Sequence, residues 1–444
     1  MRTALALVTV LLAGTGLSGC PAAEPAGRVT VLGSWTGREA DAFRAVLDGF
    51  EAATGMQADY QGHRDVSQVL QAGIERGSPL DVAVLPRLND LQRYVNEGAL
   101  RPLDGIEGLD GDPGAGRQLI RLAGKAESDG SAVGDQHVYA VAIATHLKSV
   151  FWYDPTRLPE VGQQPPRTWT ELLGQGRGIG AGGRMPWCLG MSSPPVSGWP
   201  GTDWIEDILL HQSGQQAYER WTRGELPWQS EPVRNAWRAW GELLATSPGQ
   251  TARAGLFTTW EEAATGLFSS PGCHLDHQGS FVVRNYRIRL GGPSPGRFDF
   301  FPTPPIGSAD TSSLQEVSDD IAAMFQDTAP ARKLMAYLAS EQAQAIWHRS
   351  SEELYFSRRG RSATYADPVL GRVAARLGSG TLCRDGSDLL PAAMATAFER
   401  AVLVYLQQPD RLDGLLAELD ALRRAVSRAE WMDLGCDPAA RQTE

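Results

Sequence analysis

Tryptophan and acidic side chains are the residues of this chain whose types are most typical of ligand binding. Tryptophan (13) outnumbers phenylalanine (12) and tyrosine (10), although it is normally the rarest aromatic residue. The tryptophans that fall at predicted strand ends or in loops are Trp35, Trp152, Trp199, Trp204 and Trp260. A solvent-accessible indole face suits the C–H side of a pyranose ring, and nearby carboxylates suit its hydroxyl groups. These positions indicate sugar binding, and a cationic ligand held by cation–π contacts is the alternative.

A second group of tryptophans follows the period of a helix: Trp221, Trp237, Trp240 and Trp347. Large aromatic residues on one face of a helix usually pack against a core or an interface. We therefore expect this group to be structural.

The charge balance and the motif content exclude several classes of function. The chain carries 41 Lys and Arg against 52 Asp and Glu, a formal net charge of −11, and it has no basic run. Nucleic-acid binding is not expected, because phosphate neutralisation needs clustered cations. The sequence contains no P-loop, G-x-S-x-G or H-E-x-x-H motif. A G-x-G-x-x-G match at 178–183 lacks a preceding strand, so it is predicted to be a loop.

The N-terminal segment has the features of an export signal. An arginine precedes the apolar run Ala4–Leu12, which is too short to span a bilayer. The tetrapeptide L-S-G-C resembles the bacterial lipobox, so residues 1–19 are predicted to be a lipoprotein signal peptide and Cys20 the acylated residue. An ordinary signal peptide with a chance cysteine is the alternative. Residues 20–27 are predicted to be a tether that keeps the protein, lipid-anchored, at the extracellular face of the cell membrane.

The cysteines beyond Cys20 are even in number, which predicts disulfides in an exported chain. Three pairings are possible for four cysteines. We favour Cys188–Cys273 with Cys383–Cys436, because each pair falls within one region of the chain. Zinc binding around Cys273 is the alternative, but the spacing of the neighbouring histidines fits no zinc pattern well. Neither a metal nor a cofactor is expected.

Apolar periodicity predicts an α/β lobe near the N-terminus. Val29–Leu32 and Asp81–Leu85 are short apolar runs typical of buried strands. Arg38–Thr54 and Val66–Arg76 carry the stripe of amphipathic helices, and a third helix follows the second strand. The predicted order is βααβα with a parallel sheet. Ligands of such sheets lie at the carboxyl ends of the strands, where Trp35 stands.

The rest of the chain shows further elements without an internal repeat. We predict strands at 139–143 and 149–153, a mainly helical segment at 200–265, a short strand and two helices over 314–347, and a last long helix at 412–429.

Nine short segments together resemble one known family. They occupy residues 34–39, 50–55, 62–65, 79–86, 148–155, 166–172, 197–207, 277–281 and 385–391. Their order resembles that of the extracellular solute-binding lipoproteins of bacterial ATP-binding-cassette (ABC) importers, in the carbohydrate-binding group (family 1). The last three segments look like an α-glucoside-type signature.

The resemblance implies a fold, a function and partners. The fold class would be α/β, a two-lobed periplasmic-binding-protein-like fold (type II, maltose-binding-protein-like) with a hinge and a ligand cleft. The lobes would comprise residues 28–145 with 311–347, and residues 146–310 with 348–444. The protein, a monomer without enzymatic activity, would close on a carbohydrate, expected to be an α-linked oligosaccharide. It would then deliver this ligand to ABC permease subunits in the membrane.

The resemblance also implies ligand-binding residues in both lobes. Those of the first lobe are Trp35, Glu39, Asp65 and, by a looser match, Asp320, and those of the second lobe are Trp199, Asp203, Trp204, Gly279, Ser280 and Phe281. Two of these acids have a structural alternative. Glu39 could favour a helix N-terminus through the helix dipole, and Asp203 could be a helix N-cap.

Two departures from the family pattern leave the ligand open. Thr145 and His146 stand where many relatives carry an acid before the crossing strand, and 87–89 replaces a turn usually rich in glycine and proline. Three other functions remain as alternatives: a secreted glycoside hydrolase, a sugar-sensing lipoprotein, and a binder of a cationic solute such as a betaine or polyamine. A hydrolase would need two carboxylates flanking the scissile bond.

Overall fold

A computed structural model describes residues 27–109, 115–124, 135–160, 164–249, 251–307, 310–358 and 364–437 of the chain. The predicted signal peptide, the acylated Cys20 and all but the last residue of the predicted tether lie outside the described residues. Among the described residues, no helix has both the length and the apolar composition that a membrane crossing needs.

The secondary structure alternates strands and helices along most of the chain. The strands are β1 (Arg28–Gly33), β2 (Gln57–Gly62), β3 (Val82–Leu85), β4 (Leu119–Ala123), β5 (Gln136–Leu147), β6 (Val150–Tyr153), β7 (Met185–Trp187), β8 (Cys273–His277), β9 (Asp299–Pro302), β10 (Leu314–Met324) and β11 (Thr381–Arg384). The helices are α1 (Arg38–Thr54), α2 (Val66–Glu75), α3 (Leu91–Glu97), α4 (Arg157–Glu160), α5 (Trp169–Ala181), α6 (Trp199–Thr222), α7 (Glu231–Leu244), α8 (Thr251–Ala254), α9 (Trp260–Thr265), α10 (Val283–Leu290), α11 (Ala329–Leu338), α12 (Glu341–Ser350), α13 (Pro368–Ser379), α14 (Gly386–Leu389), α15 (Ala392–Gln407) and α16 (Leu412–Ala425).

Two sheets divide the fold into two lobes. The larger sheet has the order β2-β1-β3-β10-β5-β4, with β11 paired to β10, and it forms the centre of the first lobe. The smaller sheet, β7-β8-β6-β9, forms the centre of the second lobe. The chain passes between the sheets directly after β5, so residues 148–149 form a hinge crossing. The predicted lobe boundaries stay a prediction. Strand β11 adds to the larger sheet although its sequence follows the second lobe's helices.

Helix α1 shows how the apolar stripe places the first helix against the sheet. Phe43, Val46, Leu47 and Phe50 are buried, as the i, i+3, i+4, i+7 pattern predicts. Gly55 ends the helix with φ 72°, a left-handed conformation that favours glycine, and its N–H donates to the Glu51 carbonyl. The predicted helix and its end are confirmed.

The predicted order βααβα is wrong, because strand β2 lies between the first two helices. Gln57–Gly62 pairs in parallel with β1 at the edge of the larger sheet. It consists mostly of polar residues and is only partly buried. An edge strand that covers little core carries no apolar run, so the sequence pattern does not indicate it.

Three other elements differ from the prediction. Strand β10 is long and wholly buried although it contains four acidic or amide side chains in its first seven residues, which masks the apolar pattern. The G-x-G-x-x-G segment, predicted to be a loop, instead begins in the last turn of α5. A Cβ on Gly180 would lie 2.0 Å from the Thr246 carbonyl oxygen, so glycine permits close packing of this helix end. Helix α16 ends at Ala425, four residues before the predicted end.

The tryptophans at helical spacing lie in the core, as predicted. Trp221, Trp237 and Trp240 pack in the second lobe with aromatic partners from α15. Trp347 packs in the core of the first lobe. This prediction is confirmed.

Both favoured disulfides are present. Cys188–Cys273 fastens the end of β7 to β8, and Cys383–Cys436 fastens β11 to the C-terminal segment. The pairing favoured from the sequence is therefore confirmed, and Cys273 is committed to a disulfide and not to a metal.

Candidate functional site

Three half-buried aromatic rings of the second lobe lie together at the cleft, and we call Trp199, Trp260 and Phe281 the aromatic trio. Their centroids are 5.7 Å apart for Trp199–Trp260, 6.0 Å for Trp199–Phe281 and 5.5 Å for Trp260–Phe281, all at steep interplanar angles. Rings at such angles present edges and faces in different directions. The trio therefore forms an apolar cluster of half-buried rings whose faces point in different directions.

The two tryptophans of the trio are each the first residue of a helix. Trp199 begins α6 directly after Gly198, whose φ of 104° and close approach to Glu399 permit only glycine: a Cβ would lie 2.5 Å from the Glu399 carbonyl oxygen. Trp260 begins α9 after Thr259, which forms a capping box with Glu262. Both indoles are therefore placed by backbone features that leave little freedom at the helix start.

The Gly279–Phe281 turn holds the third ring and joins the lobes. A Cβ on Gly279 would lie 2.4 Å from the Phe281 ring, so glycine lets the ring fold back over the turn. The Ser280 hydroxyl oxygen accepts a hydrogen bond of 3.1 Å from the backbone N–H of Leu147, the last residue of β5. Ser280 therefore anchors the turn to the first lobe and is itself fully buried.

Lys148 lies at the hinge crossing directly behind Trp199. Its ammonium is 2.9 Å from Asp203 Oδ2, is also paired with Asp385 Oδ2, and lies 5.5 Å from the centroid of the Trp199 ring. Burial opposes the positive charge, but the carboxylates of Asp203 and Asp385 outweigh it and hold the pKa of Lys148 well above its usual value. The ammonium is therefore charged at neutral pH.

One face of α6 carries acids that bind several elements around the hinge. Asp207 accepts hydrogen bonds from Ser149 Oγ at 2.6 Å and from Thr303 Oγ1, and it lies 2.9 Å from His277 Nε2. Glu206 Oε2 accepts a bond of 3.0 Å from the Ser387 N–H. These contacts connect the helix to the hinge crossing, to β8 and to α14.

The pKa values of the buried acids around Lys148 are shifted in different directions. Burial raises the pKa of Glu206, Glu316 and Asp388 well above their usual values. Burial also raises the pKa of Asp203 to about 6, with Lys148 opposing the shift. Burial also acts to raise the pKa of Asp385, but the nearby ammonium of Lys148 outweighs burial, and the pKa of Asp385 is lowered.

One acidic cluster has the spacing of metal ligands. Carboxylate oxygens of Asp203, Glu206 and Asp385 lie within 4.8 Å of one another. The ammonium of Lys148 already pairs with two of these three side chains. A cation is therefore present in the cluster as part of the chain, and we assign no metal to it.

The predicted solvent exposure is wrong for three of the five tryptophans. Trp35 is 4% exposed and lies against Phe43 and Trp347, at 5.0 and 4.9 Å between centroids. Trp204 lies inside α6, not before it, and stacks on His277 at 4.4 Å, while Trp152 is fully buried. A position after a strand or near a helix start does not fix which way an indole points.

Glu39 lies at the cleft between two arginines. It is in the first turn of α1 and is 2.9 Å from Arg64 of the same lobe. It also pairs with Arg284 of α10 in the second lobe. Arg284 donates to the Tyr355 hydroxyl at 3.0 Å, and the Tyr355 ring lies 5.9 Å from Trp35. Glu39 therefore contributes to a contact between the lobes.

A second ion pair joins the lobes elsewhere. Arg87, which follows β3, donates to Glu399 of α15 at 2.7 Å. The segment that departs from the family pattern at 87–89 therefore supplies an interlobe contact.

Asp320 is joined to the aromatic trio through His146. Asp320 Oδ2 is 3.1 Å from His146 Nε2, and the His146 ring lies 5.5 Å from Phe281 and 5.7 Å from Tyr355. The other ring nitrogen, Nδ1, is buried and has no hydrogen-bond partner among the described residues. It is therefore a buried polar atom that the described part of the chain leaves without a partner.

The side chain of Asp65 caps the N-terminus of a helix. It is the N-cap of α2, and its Oδ1 accepts a hydrogen bond of 3.3 Å from the Gln68 N–H. The structure thus gives Asp65 a local role, and its predicted contact with a ligand stays a prediction.

Several residues of the site were not predicted from the sequence. His146 was noticed only as a departure from the family, and Lys148 only as the first residue of the family segment 148–155. Arg284 and Tyr355 lie in a helix and a loop with no local signal. Their roles depend on contacts between segments far apart in the chain.

Comparisons with known proteins identify the family of the chain. Residues 36–345 match the family described as bacterial extracellular solute-binding protein. The chain is 30% identical over 371 residues to the alpha-glucosides-binding periplasmic protein AglE of Rhizobium meliloti, covering 82% of this chain and 80% of the relative. It is 29% identical over 399 residues to the osmoprotective compounds-binding protein GgtB of Synechocystis, covering 89% and 92%.

Solved structures agree with the fold. The bacterial solute receptor AcbH superimposes with a TM-score of 0.74 at 19% identity, covering 90% of this chain and 99% of that one. RafE in complex with raffinose gives 0.67 at 14% identity, covering 90% and 99%. At these identities the structures show the fold and not the ligand. The predicted two-lobed, maltose-binding-protein-like α/β fold is confirmed.

Proposed function

Since the chain belongs to the bacterial extracellular solute-binding protein family, we propose that it captures a neutral carbohydrate of the α-glucoside class between its two lobes. The observation that carries this proposal is the aromatic trio beside an unpartnered, buried imidazole nitrogen of His146. An apolar platform with a few polar groups at its edge is the arrangement that recognises a sugar ring.

The trio and the polar groups around it have different roles in this proposal. Trp199, Trp260 and Phe281 would contact the C–H face of the ring, and His146 with Asp320 would bind its hydroxyl groups. Glu39, which lies on the first-lobe side of the cleft opposite Arg284, would accept a hydrogen bond from a further hydroxyl group.

The remaining predicted site residues would act behind this surface. Asp203 pairs with Lys148 beneath Trp199, Trp204 packs on His277, and Gly279 with Ser280 shapes the turn that carries Phe281. Trp35 would support Tyr355 from the core of the first lobe.

The names of the two relatives support the choice of ligand class. AglE is named for alpha-glucosides and GgtB for osmoprotective compounds. A neutral α-glucoside that also serves as an osmoprotectant would satisfy both names. An osmoprotective compound that is not a sugar, such as a betaine, is the second candidate, favoured by the similarity to GgtB.

We further propose that the protein binds its ligand without cleaving it. Glu39, Asp65 and Asp203, the acids that a hydrolase would use, each have a separate partner: two arginines, a helix N-terminus and Lys148. A panel of nitrophenyl glycosides tests this proposal. Turnover that Glu39→Gln abolishes would contradict it.

The proposed partners are the permease subunits of an ABC importer and, through acylated Cys20, the membrane. The protein would act as a monomer at the extracellular face of the cell membrane. A Cys20→Ala variant should appear in the soluble fraction while the unchanged chain stays with the membrane. Equal partition of both proteins would overturn the lipid anchor.

A thermal-shift screen of the chain from Pro21 to Glu444 tests the ligand class. The panel would hold maltose, trehalose, sucrose, glucosylglycerol, polyols, glycine betaine and spermidine. Before the screen, the protein would be unfolded in denaturant, dialysed to remove copurified ligand, and refolded. A ligand at 100 times its dissociation constant adds about 2.7 kcal/mol to stability. We expect a shift with an α-glucoside. A shift with betaine or spermidine alone would replace the proposal by the cationic alternative.

A further inference from the structure

Two ion pairs connect the lobes across the cleft. Glu39 of α1 in the first lobe pairs with Arg284 of α10 in the second lobe. Arg87, which follows β3 in the first lobe, donates to Glu399 of α15 in the second lobe at 2.7 Å. Each lobe therefore supplies one cation and one anion, and the two facing surfaces are complementary in charge at both places.

We propose that the ion pairs Glu39–Arg284 and Arg87–Glu399 are two latches that hold the lobes closed over the aromatic trio and set the rate at which a bound ligand leaves. The part of this inference that concerns ligand release rests on the proposed function. The part that concerns the closed lobes does not.

The first step of the argument is the position of the latches beside the trio. Glu399 lies against the residue before Trp199, since a Cβ on Gly198 would be 2.5 Å from the Glu399 carbonyl oxygen. Arg284 follows Phe281 by three residues, in the helix into which the Phe281 turn leads. One latch therefore adjoins Trp199 and the other adjoins Phe281.

The second step is that opening of the cleft must break both latches. The two members of each pair belong to different lobes, and hydrogen bonds between charged groups hold only at short donor–acceptor distances. A rotation of one lobe about the hinge crossing at 148–149 separates them. Arg284 also donates to the Tyr355 hydroxyl at 3.0 Å, and Tyr355 packs in the core of the first lobe. This contact separates in the same motion.

The third step concerns the strength of the latches. Ion pairs in full contact with water contribute little, and the attraction grows as the side chains leave water. Glu39 is 13% exposed and Arg284 is 27% exposed, while Glu399 is 6% exposed and Arg87 is 26% exposed. Arg64 lies 2.9 Å from Glu39 in the same lobe, so it stays with this carboxylate when the cleft opens. Glu39 is therefore already oriented when the lobes meet again.

Double electron–electron resonance between spin labels on the two lobes tests the latches without any ligand. The labels are attached to Ser67→Cys of α2 and Arg253→Cys of α8, two exposed positions in different lobes. The four cysteines of the chain from Pro21 to Glu444 form the two disulfides, so the introduced thiols take the labels. We expect the ligand-free chain to show two populations, one with the interlobe distance of the structure and one with a longer distance.

Removal of either latch should favour the longer distance. Arg284→Gln removes one latch, and Arg87→Met combined with Glu399→Gln removes the other without leaving a single buried charge. We expect each change to lower the ratio of closed to open lobes about threefold or more. Arg289→Gln of α10 and Arg400→Gln of α15, which remove exposed arginines from the same helices, should leave the ratio unchanged. A ratio that does not change when a pair is removed overturns the proposal for that pair.

Salt gives a second measurement on the unchanged chain. Sodium chloride at 1 M screens charges over about 3 Å, so it should lower the ratio of closed to open lobes. The effect should be smaller in Arg284→Gln, which has lost the latch with the more exposed arginine. An equal salt effect in the two proteins would contradict the Glu39–Arg284 latch. If the double variant at Arg87 and Glu399 does not fold, Arg284→Gln and the salt effect decide.

Stopped-flow tryptophan fluorescence with the α-glucoside identified by the screen tests ligand release. A latch acts after the ligand has entered the open cleft, so its removal should raise the dissociation rate about threefold and leave the association rate unchanged or higher. A loss of affinity that comes from slower association would overturn the role in release. If no sugar binds, the proposed ligand class fails, and the interlobe distances still decide whether the two pairs are latches.

Discussion

The two walls of the cleft use the same residue pattern in opposite ways. In each lobe a tryptophan precedes an acid by four residues, Trp35 with Glu39 and Trp199 with Asp203. In the first lobe the indole is buried and the carboxylate reaches the cleft, where it pairs with two arginines. In the second lobe the indole is half-buried at the cleft and the carboxylate is buried on Lys148.

The start of the helix explains the difference. Trp35 lies before α1, which begins at Arg38, so its side chain can pack back into the core under the helix. Trp199 is itself the first residue of α6, and Asp203, one turn later, points into the hinge cluster. Residue type and spacing are therefore enough to identify a tryptophan and an acid that lie near the cleft. The local backbone decides which of the two side chains points into the cleft. The first wall supplies a contact between the lobes, and the second wall is the one that we propose contacts the sugar ring.

Removal of the buried indole should have the largest effect. Trp35→Ala leaves a large cavity between Phe43, Trp347 and Tyr355, and we expect a loss of about 3–5 kcal/mol in the free energy of unfolding. Urea denaturation measures it. Trp199→Ala serves as the matched control and should lose much less. Equal losses in the two variants would contradict the contrast between a core indole and a cleft indole.

A second prediction uses a buried acid of the second lobe. Burial raises the pKa of Asp276 from 3.8 to about 7, with the Tyr286 hydroxyl donating to it and opposing the shift. The unfolded chain releases this proton at lower pH than the folded one, so this group lowers stability as the pH rises from 3.8 towards 7.

Asp276→Asn should remove this dependence. Between pH 5 and 7 we expect the unchanged chain to lose about 2 kcal/mol relative to the variant, measured by denaturation at each pH. If the free energy of unfolding of the two proteins changed with pH in parallel, Asp276 would be ionised in the folded state over this range. That result would contradict the raised pKa of Asp276.

The third prediction concerns the indole at the cleft. Trp199→Ala should weaken sugar binding by about 1–3 kcal/mol, because it removes an aromatic contact at the centre of the site. Titration calorimetry with the α-glucoside identified by the screen measures the loss. Trp240→Phe is a suitable control, since Trp240 is a buried tryptophan of the same lobe. An unchanged affinity with an intact fold would remove Trp199 from the site.

The smallest effect is expected at the ion pair of the first wall. Glu39→Gln should weaken binding by about 1 kcal/mol or less, since ion pairs in contact with solvent contribute little. It should also reduce the dependence of affinity on salt concentration. Arg44→Gln, which removes an exposed arginine of the same helix, is the control. A loss as large as that of Trp199→Ala would mean that Glu39 is a principal ligand-binding residue.

The sequence was sufficient for the parts of the fold that depend on local pattern. Helix α1, the disulfide pairing and the buried helical tryptophans follow from periodicity and chain region. The edge strand β2 and the full length of β10 do not, because one covers little core and the other buries acids that interrupt its apolar pattern.

The site was predictable to a smaller extent. Trp199 and Phe281 were identified by family segments, and the structure brings them together. Lys148 and Arg284 were not, since their partners come from elements far away in the chain. A single sequence does not contain the distance between two such residues. The predicted exposure of Trp35 and Trp204 was wrong for a related reason. The rotamer of a side chain is set by its surroundings and not by its position in a motif.

Titration calorimetry of the chain from Pro21 to Glu444 with trehalose, maltose, glycine betaine and spermidine tests the central claim most directly. The account predicts saturable binding of one molecule of a neutral α-glucoside and no heat from either cationic or zwitterionic compound. Binding of betaine or spermidine with no response to any sugar would contradict it, because the half-buried indoles would then serve a cationic or zwitterionic solute and not a sugar ring.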